Sequence, residues 1–105
     1  MRYNDLTFRA MNRIEFTKDA IEDLRFLKKL EQRLVVDAIE RQLSVSPEVE
    51  TRNRKPLRPN EVSMWELRVN AFRVFYDIED GVVRIKAVGR KEHNRLVIRG
   101  KEFLL

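Results

Sequence analysis

Two arginines in the stretch LRVNAFRVFY could form an anion-binding site. Arg68 and Arg73 lie five residues apart, on either side of Asn70-Ala71, a pair that we interpret as a two-residue β-turn. Such a turn would place the arginines directly opposite each other on neighbouring strands. Like charges in that position destabilise a strand pair by about 0.2–1 kcal/mol, and a bound anion would relieve the repulsion. The alternative interpretation is that both side chains extend into water from an exposed sheet face.

Further basic residues flank this stretch on both sides. They are Arg52, Arg54, Lys55 and Arg58 in the preceding segment, and Arg90, Lys91, His93 and Arg95 in the segment after the last predicted long strand. Arg84, Lys86 and the ring of Phe75 are predicted on the same sheet face as the two arginines. A basic surface with an aromatic ring available for stacking is what binding of single-stranded RNA requires.

The spacing of apolar residues predicts the helices that must support this surface. Alternation at residues 12–16 is typical of a half-buried strand, and Thr17 can cap a helix that begins at Lys18. Apolar residues then recur at helical spacing to about Ser44. One helix of about 27 residues would measure about 40 Å, which is longer than so small a domain. We therefore expect an antiparallel helix pair with a break near residues 28–31.

The second half of the chain predicts a β-sheet. Residues 47–61 contain all three prolines and are interpreted as a loop. Strands are predicted at residues 64–69, 72–79 and 82–89. Asp80-Gly81 is a strong two-residue hairpin signal, and its register would pair Val74 with Ala87. Residues 96–98 favour a short strand at least as much as a helix. The predicted fold class is α+β, with an N-terminal strand and the antiparallel helix pair packed on one face of a mainly antiparallel sheet.

Length and composition limit the classes of site that the chain can build. Its 105 residues suit one domain, which we assign to residues 11–105, with residues 1–10 as a flexible N-terminal extension. The chain has no cysteine and one histidine, so we expect no metal and no cofactor. Cysteine usage and the shortness of every apolar run predict a cytoplasmic protein without membrane contact.

The basic residues are concentrated in one half of the chain. Residues 1–51 carry 9 basic and 10 acidic side chains, whereas residues 52–105 carry 13 and 7, so the second half holds the whole positive excess. This asymmetry predicts an anionic partner, such as nucleic acid or an acidic protein segment.

The order of these elements, together with four motifs, resembles the RelE/ParE superfamily of bacterial toxins from toxin–antitoxin pairs. The motifs are RIEFTKDAIEDL, RKPL, WELRVNAFRVFYDIEDGVVRIKAVG and RKEHNR, and the resemblance covers about residues 11–95. It implies a RelE-like fold and a small toxin held inactive by a cognate antitoxin. RelE-like members are ribosome-dependent endoribonucleases that cut mRNA, whereas ParE-like members act on DNA gyrase.

For a RelE-like toxin, the resemblance implies metal-independent cleavage in which the 2′-hydroxyl attacks the scissile phosphate. The matching positions are Lys55 and Arg54 for the family's loop lysines, Arg68 for its phosphate-clamping arginine, Arg73 for a second arginine, and Lys91 for the basic residue after the final V-G. The family's tyrosine beyond that residue is replaced by Val97. His93 is a candidate acid or base in its place, because histidine titrates near neutral pH.

Three functions follow from this resemblance. The leading hypothesis is a RelE-like mRNA interferase that acts on ribosome-bound mRNA and inhibits translation. The missing tyrosine favours the alternative, a ParE-like, non-nucleolytic toxin that inhibits DNA gyrase. The third is a basic binding module without toxicity.

Overall fold

One sheet of seven strands forms the centre of the part of the chain that the computed structural model describes, residues 12–104. The predicted extension, residues 1–10, lies outside the described residues. In chain order the elements are β1 (Arg13–Phe16), α1 (Lys18–Phe26), α2 (Lys29–Leu43), β2 (Arg54–Pro56), β3 (Trp65–Val69), β4 (Phe72–Glu79), β5 (Val82–Glu92), β6 (Arg95–Ile98) and β7 (Lys101–Phe103). The predicted α+β class is confirmed, because both helices pack on one face of a mainly antiparallel sheet.

The two helices begin and end where local hydrogen bonds favour it. The Thr17 hydroxyl oxygen accepts a hydrogen bond from the Ala20 amide at 3.1 Å, which confirms the predicted cap of α1. The break falls at Leu27 and Lys28, which are both extended, at the start of the predicted range. The Glu31 carboxylate accepts a hydrogen bond from the Lys28 amide at 3.1 Å, which satisfies one of the free N–H donors at the start of α2. The break between the helices therefore forms although residues 27–31 contain neither glycine nor proline. Within residues 12–104, neither helix combines the length and hydrophobicity needed to cross a membrane.

The strand β5 is the longest of the described sheet and connects its two halves. The antiparallel order is β2-β3-β4-β5-β6-β7, and β1 pairs with the first part of β5 in parallel. The second part of β5 pairs with β6 through Arg90 opposite Val97. Since β4 occupies one edge of β5, β1 and β6 share the other edge at opposite ends.

The β3–β4 hairpin has the predicted register. Arg68 lies opposite Arg73 and Leu67 opposite Val74, and Asn70 adopts the positive φ of 55° that its two-residue turn requires. The alternate residues of both strands are buried against the helices. The two arginines therefore project from the face that the helices do not cover.

The predicted register between β4 and β5 is wrong beyond Tyr76. Tyr76 pairs with Ile85, but a bulge that contains Lys86 shifts the remaining pairs, so that Val74 lies opposite Val88 and Phe75 opposite Ala87. An extra residue in one strand of a pair changes which of its later residues share a face. Ala87 consequently joins Phe75 on the face away from the helices.

Two strands of the described sheet were not predicted. Arg54–Pro56 was interpreted as part of a loop, but it pairs with β3 as β2, an edge strand in which a proline is tolerated. Strand β7 follows β6 after a turn at Arg99 and Gly100, both with positive φ. Of the two alternatives for residues 96–98, the structure has the strand, as β6, and β6 and β7 form a hairpin that extends the described sheet.

A buried carboxylate fastens this terminal hairpin to α1. The Asp23 Oδ2 atom accepts the Val88 amide at 3.0 Å, and its Oδ1 atom lies 2.8 Å from Nε of Arg99 in the β6–β7 turn. Burial raises the pKa of the Asp23 carboxyl, although the Val88 amide and Arg99 act in the opposite direction. The contact sets the position of β6 relative to the helices.

Candidate functional site

A groove of about 490 Å³ lies on the sheet face that the helices leave uncovered. One wall is formed by β2 and the segment after it, and the other by the end of β5 with β6 and β7. The lining residues are Lys55, Pro56, Leu57, Arg58, Asn60, Glu66, Phe75, Lys91, Asn94, Arg95, Leu96, Glu102, Phe103 and Leu104. The two walls come from segments more than 30 residues apart in the sequence.

Cationic side chains dominate the charge of the groove. Lys55, Arg58, Lys91 and Arg95 are all exposed, against the two carboxylates of Glu66 and Glu102, so the lining carries a formal excess of two positive charges. Arg95 Nη1 lies 3.4 Å from Oε1 of Glu102 across the β6–β7 pair. The Lys91 amide donates to the Ala71 carbonyl at 2.7 Å, which fixes the end of β5 beside the β3–β4 turn. The arrangement favours a polyanion.

The floor of the groove is apolar and closely packed. Phe75 is 0% exposed and clusters with Ala87, Leu96 and Ile98. The prediction that Phe75 stacks on an RNA base therefore needs correction, because that ring is buried in a cluster with Leu96 and Ile98 of β6. Its role in this structure is to support the floor.

The two opposed arginines, Arg68 and Arg73, both contact the carboxylate of Glu66. Nε of Arg68 lies 3.4 Å, and Nε of Arg73 3.9 Å, from the same Oε2 atom of Glu66. The Arg73 side chain is only 14% exposed, and its Nη1 donates to the carbonyls of Asn70 and Phe72 at 2.8 and 2.9 Å. Burial lowers the pKa of Arg73, Glu66 raises it and Arg68 lowers it further. The carboxylate of Glu66 lines the groove, whereas the guanidinium groups lie beside it.

Two predicted RNA-binding arginines are held elsewhere by carboxylates. Arg84 lies between Glu15 and Glu79 at 3.2 and 3.3 Å, and its hydrogen bond is the main cause that lowers the pKa of Glu15. Arg90 contacts Glu31 of α2 at 2.8 Å and sits 4.6 Å from the ring centroid of Phe72, on the helix-covered side. Neither lines the groove, because their strand positions direct them to these partners.

The remaining predicted residues are spread around the molecule. Arg54 is half-buried and donates to the carbonyls of Gln42 and Val49 near the end of α2, so it faces away from the groove. Arg52 is exposed in the preceding segment, and Lys86 is half-buried at the bulge. His93 is exposed in the β5–β6 turn at φ 58° and does not line the groove, whereas the next residue, Asn94, does.

We expect Arg54→Ala to lower the free energy of unfolding by about 1–3 kcal/mol, because it leaves the carbonyls of Gln42 and Val49 without their charged donor. The groove of the folded variant should be little affected, because Arg54 faces away from it. Arg52→Ala is the matched control and should change the unfolding free energy by less than about 0.5 kcal/mol. Urea unfolding of both variants is the measurement, and equal stabilities would contradict the structural role of Arg54.

Several lining residues had no role in the sequence-based prediction. Asn60 shapes the wall beside Arg58, since its Oδ1 accepts the amides of Val62 and Ser63 at 2.7 and 3.0 Å and its Nδ2 donates to the Arg58 carbonyl at 2.7 Å. An asparagine between proline and polar residues is a turn signal that could have identified it. In residues 12–104, no three histidine, aspartate or glutamate side chains are grouped so that they could hold a metal ion.

Comparison with known proteins gives matches over most of the chain. The profile of the family described as ParE toxin of type II toxin–antitoxin system, parDE, matches residues 14–95. In the toxin–antitoxin complex RelBE2 from Mycobacterium tuberculosis, a similar chain has 29% identity and a TM-score of 0.66, with 76% of this chain and 98% of that chain covered.

Two further solved structures share the architecture. A chain of the RelE–RelB complex from Pyrococcus horikoshii OT3 has 19% identity and a TM-score of 0.62, covering 78% of this chain and 97% of that chain, and this likeness shows the fold alone. A mutant of toxin RelE from E. coli in the free state has 25% identity and a TM-score of 0.59, covering 78% and 85%. No curated protein sequence matches the chain.

Proposed function

The chain belongs to the ParE toxin family of type II toxin–antitoxin systems. We propose that it acts as a RelE-like toxin that binds and cuts translated mRNA in the basic groove. The observation that supports this proposal is the convergence of Lys55, Arg58, Lys91 and Arg95 on one groove. Its partners are the ribosome, the mRNA and a cognate antitoxin.

The proposed reaction is an intramolecular transesterification at a phosphate of the RNA. The 2′-hydroxyl loses its proton and its oxygen attacks the adjacent phosphorus, while the bond to the 5′-oxygen of the next nucleotide breaks. The products are a 2′,3′-cyclic phosphate and a 5′-hydroxyl. The protein must accept one proton, stabilise the extra charge on the phosphate and protonate the leaving oxygen.

We assign these three tasks according to where each basic side chain lies relative to the groove. We assign proton transfer to Lys55 and Lys91, which lie on opposite walls, because none of the described lining residues is a histidine or tyrosine. Arg58 and Arg95 contact the neighbouring phosphates. Arg68 and Arg73, beside the groove, hold the scissile phosphate.

The test of this function is primer extension on a message incubated with the purified toxin in a translating extract. We expect cuts within codons of the translated region and none when translation is blocked before elongation. Addition of the cognate antitoxin should abolish the cuts. Growth arrest by the toxin without any cleavage of translated mRNA would contradict the proposal.

A ParE-like activity is the second candidate, in which the toxin inhibits DNA gyrase without cutting RNA. The observations that favour it are the matched family profile and the groove without histidine or tyrosine among its described lining residues. A supercoiling assay with purified gyrase distinguishes the two functions. Inhibition of supercoiling together with intact mRNA would establish this second function.

A further inference from the structure

Glu66 is an unusual residue for a groove that binds RNA. It is only 7% exposed, yet its carboxylate lines the basic groove, where its cross-strand neighbours are Lys55 and Phe75. The other lining carboxylate, Glu102, is exposed and contacts Arg95 at the rim. A buried negative charge on this surface should repel a phosphate unless it moves or is displaced.

The position of Glu66 coincides with the place for an anion between the opposed arginines. One oxygen, Oε2, faces Nε of both Arg68 and Arg73, at 3.4 and 3.9 Å. Strong charge-assisted hydrogen bonds between guanidinium and carboxylate measure about 2.7–2.9 Å. The contacts of Glu66 are therefore loose, and a phosphate with several free oxygens could make shorter bonds to the same two groups.

We propose that Glu66 is a specificity-determining residue, whose carboxylate occupies the anion position between Arg68 and Arg73 and must be displaced by an RNA phosphate. A free phosphate ion can bind these two arginines only if it displaces Glu66 from them. An RNA strand also has further phosphates that can bind the cations lining the groove, such as Lys55 and Lys91. Glu66 thus favours a polyanionic strand over small anions, and this inference rests on the proposed binding of RNA in the groove.

The charge balance gives the expected effect of removing this competitor. Arg68, Arg73 and Glu66 together carry one positive charge, and Glu66→Gln raises this to two with little change of side-chain volume. A phosphate bound there would then meet no carboxylate. Because RNA bound to the wild type also places a phosphate between the two arginines, the number of neutralised phosphates, and with it the salt dependence, should stay the same while the affinity rises.

The first experiment measures binding of a short single-stranded RNA over a series of salt concentrations. Glu66→Gln should bind about tenfold more tightly than the wild type, because the bound phosphate no longer has to displace a carboxylate, and its salt slope should match that of the wild type, since the same phosphates are neutralised. Glu102→Gln is the charge-matched control in the same groove, and it should gain less than about threefold with an unchanged slope. Equal gains in the two variants, or weaker binding by Glu66→Gln, would overturn the role of Glu66.

The second experiment uses inorganic phosphate alone and follows thermal unfolding. A ligand that binds only the folded state raises its melting temperature. Phosphate should raise the melting temperature of Glu66→Gln by several degrees more than that of the wild type. If the wild type gains as much as the variant, the anion position is not occupied by Glu66 and the inference fails.

The variant Glu66→Asp distinguishes displacement of the carboxylate from a general loss of structure at residue 66. Glu66→Asp keeps the negative charge but draws it back from the guanidinium groups, so its RNA affinity should lie between those of the wild type and Glu66→Gln. An affinity equal to that of the wild type would contradict the inference. Failure of the wild type to bind RNA would contradict the proposed function instead, while the phosphate experiment still tests Glu66.

Discussion

Alanine in place of Lys91 should reduce mRNA cleavage by about 10²–10⁴-fold, which is the contribution expected of a side chain that transfers a proton in the transition state. Lys91 is exposed in the groove near the end of β5, and the contact that positions it, from its amide to the Ala71 carbonyl, does not involve the side chain. The variant should therefore fold with nearly the stability of the wild type. Single-turnover cleavage of ribosome-bound mRNA is the measurement.

Arg84→Ala is the matched control for this prediction. It removes one positive charge from the same strand, but Arg84 is already engaged with Glu15 and Glu79 outside the groove. We expect less than about a twofold change in cleavage, and a small loss of stability, since partly exposed ion pairs are worth about 0–1 kcal/mol. Equal losses in the two variants would mean that general charge attraction, and not the position of Lys91, governs cleavage.

Alanine in place of Gly89 should displace β6 and remove one wall of the groove. A Cβ atom at residue 89 would lie 2.7 Å from Cγ1 of Ile98 and 2.8 Å from the carbonyl oxygen of Val97. The latter is backbone, so strand β6 itself must move. We expect a loss of about 1–3 kcal/mol in the free energy of unfolding, as for other overpacked sites. RNA binding should weaken as well, because Arg95 and Leu96 are carried on the displaced strand.

Gly81→Ala separates this steric effect from backbone strain. A Cβ at Gly81 would meet nothing within 4 Å, but the residue adopts φ +76°, where a side chain costs about 1–2 kcal/mol. This control should lose stability and keep its affinity for RNA, whereas Gly89→Ala should lose both. Urea unfolding and RNA titration of the two variants test the difference. Wild-type affinity in Gly89→Ala would show that the groove does not depend on the position of β6.

Short-range features of the sequence were sufficient to predict the framework. Two-residue turns fix strand register, so the position of Asn70-Ala71 placed Arg68 opposite Arg73, as the structure has them. Apolar periodicity likewise predicted both helices, because it reports which face of an element is buried. The RelE/ParE resemblance agrees with the matched family profile and with the solved structures.

The surroundings of several predicted site residues were decided by tertiary structure. Periodicity assigns a residue to a face but cannot say which distant group it meets there, and one bulge at Lys86 was enough to change the later pairs of β5. Phe75 is buried because Leu96 and Ile98 of β6 cluster with it, and Arg54 is directed to the carbonyls of Gln42 and Val49. The sequence by itself determined that two arginines face each other, but only the folded structure shows that one oxygen of Glu66 reaches both of them, since that contact depends on side-chain conformations that packing sets within the β3–β4 hairpin.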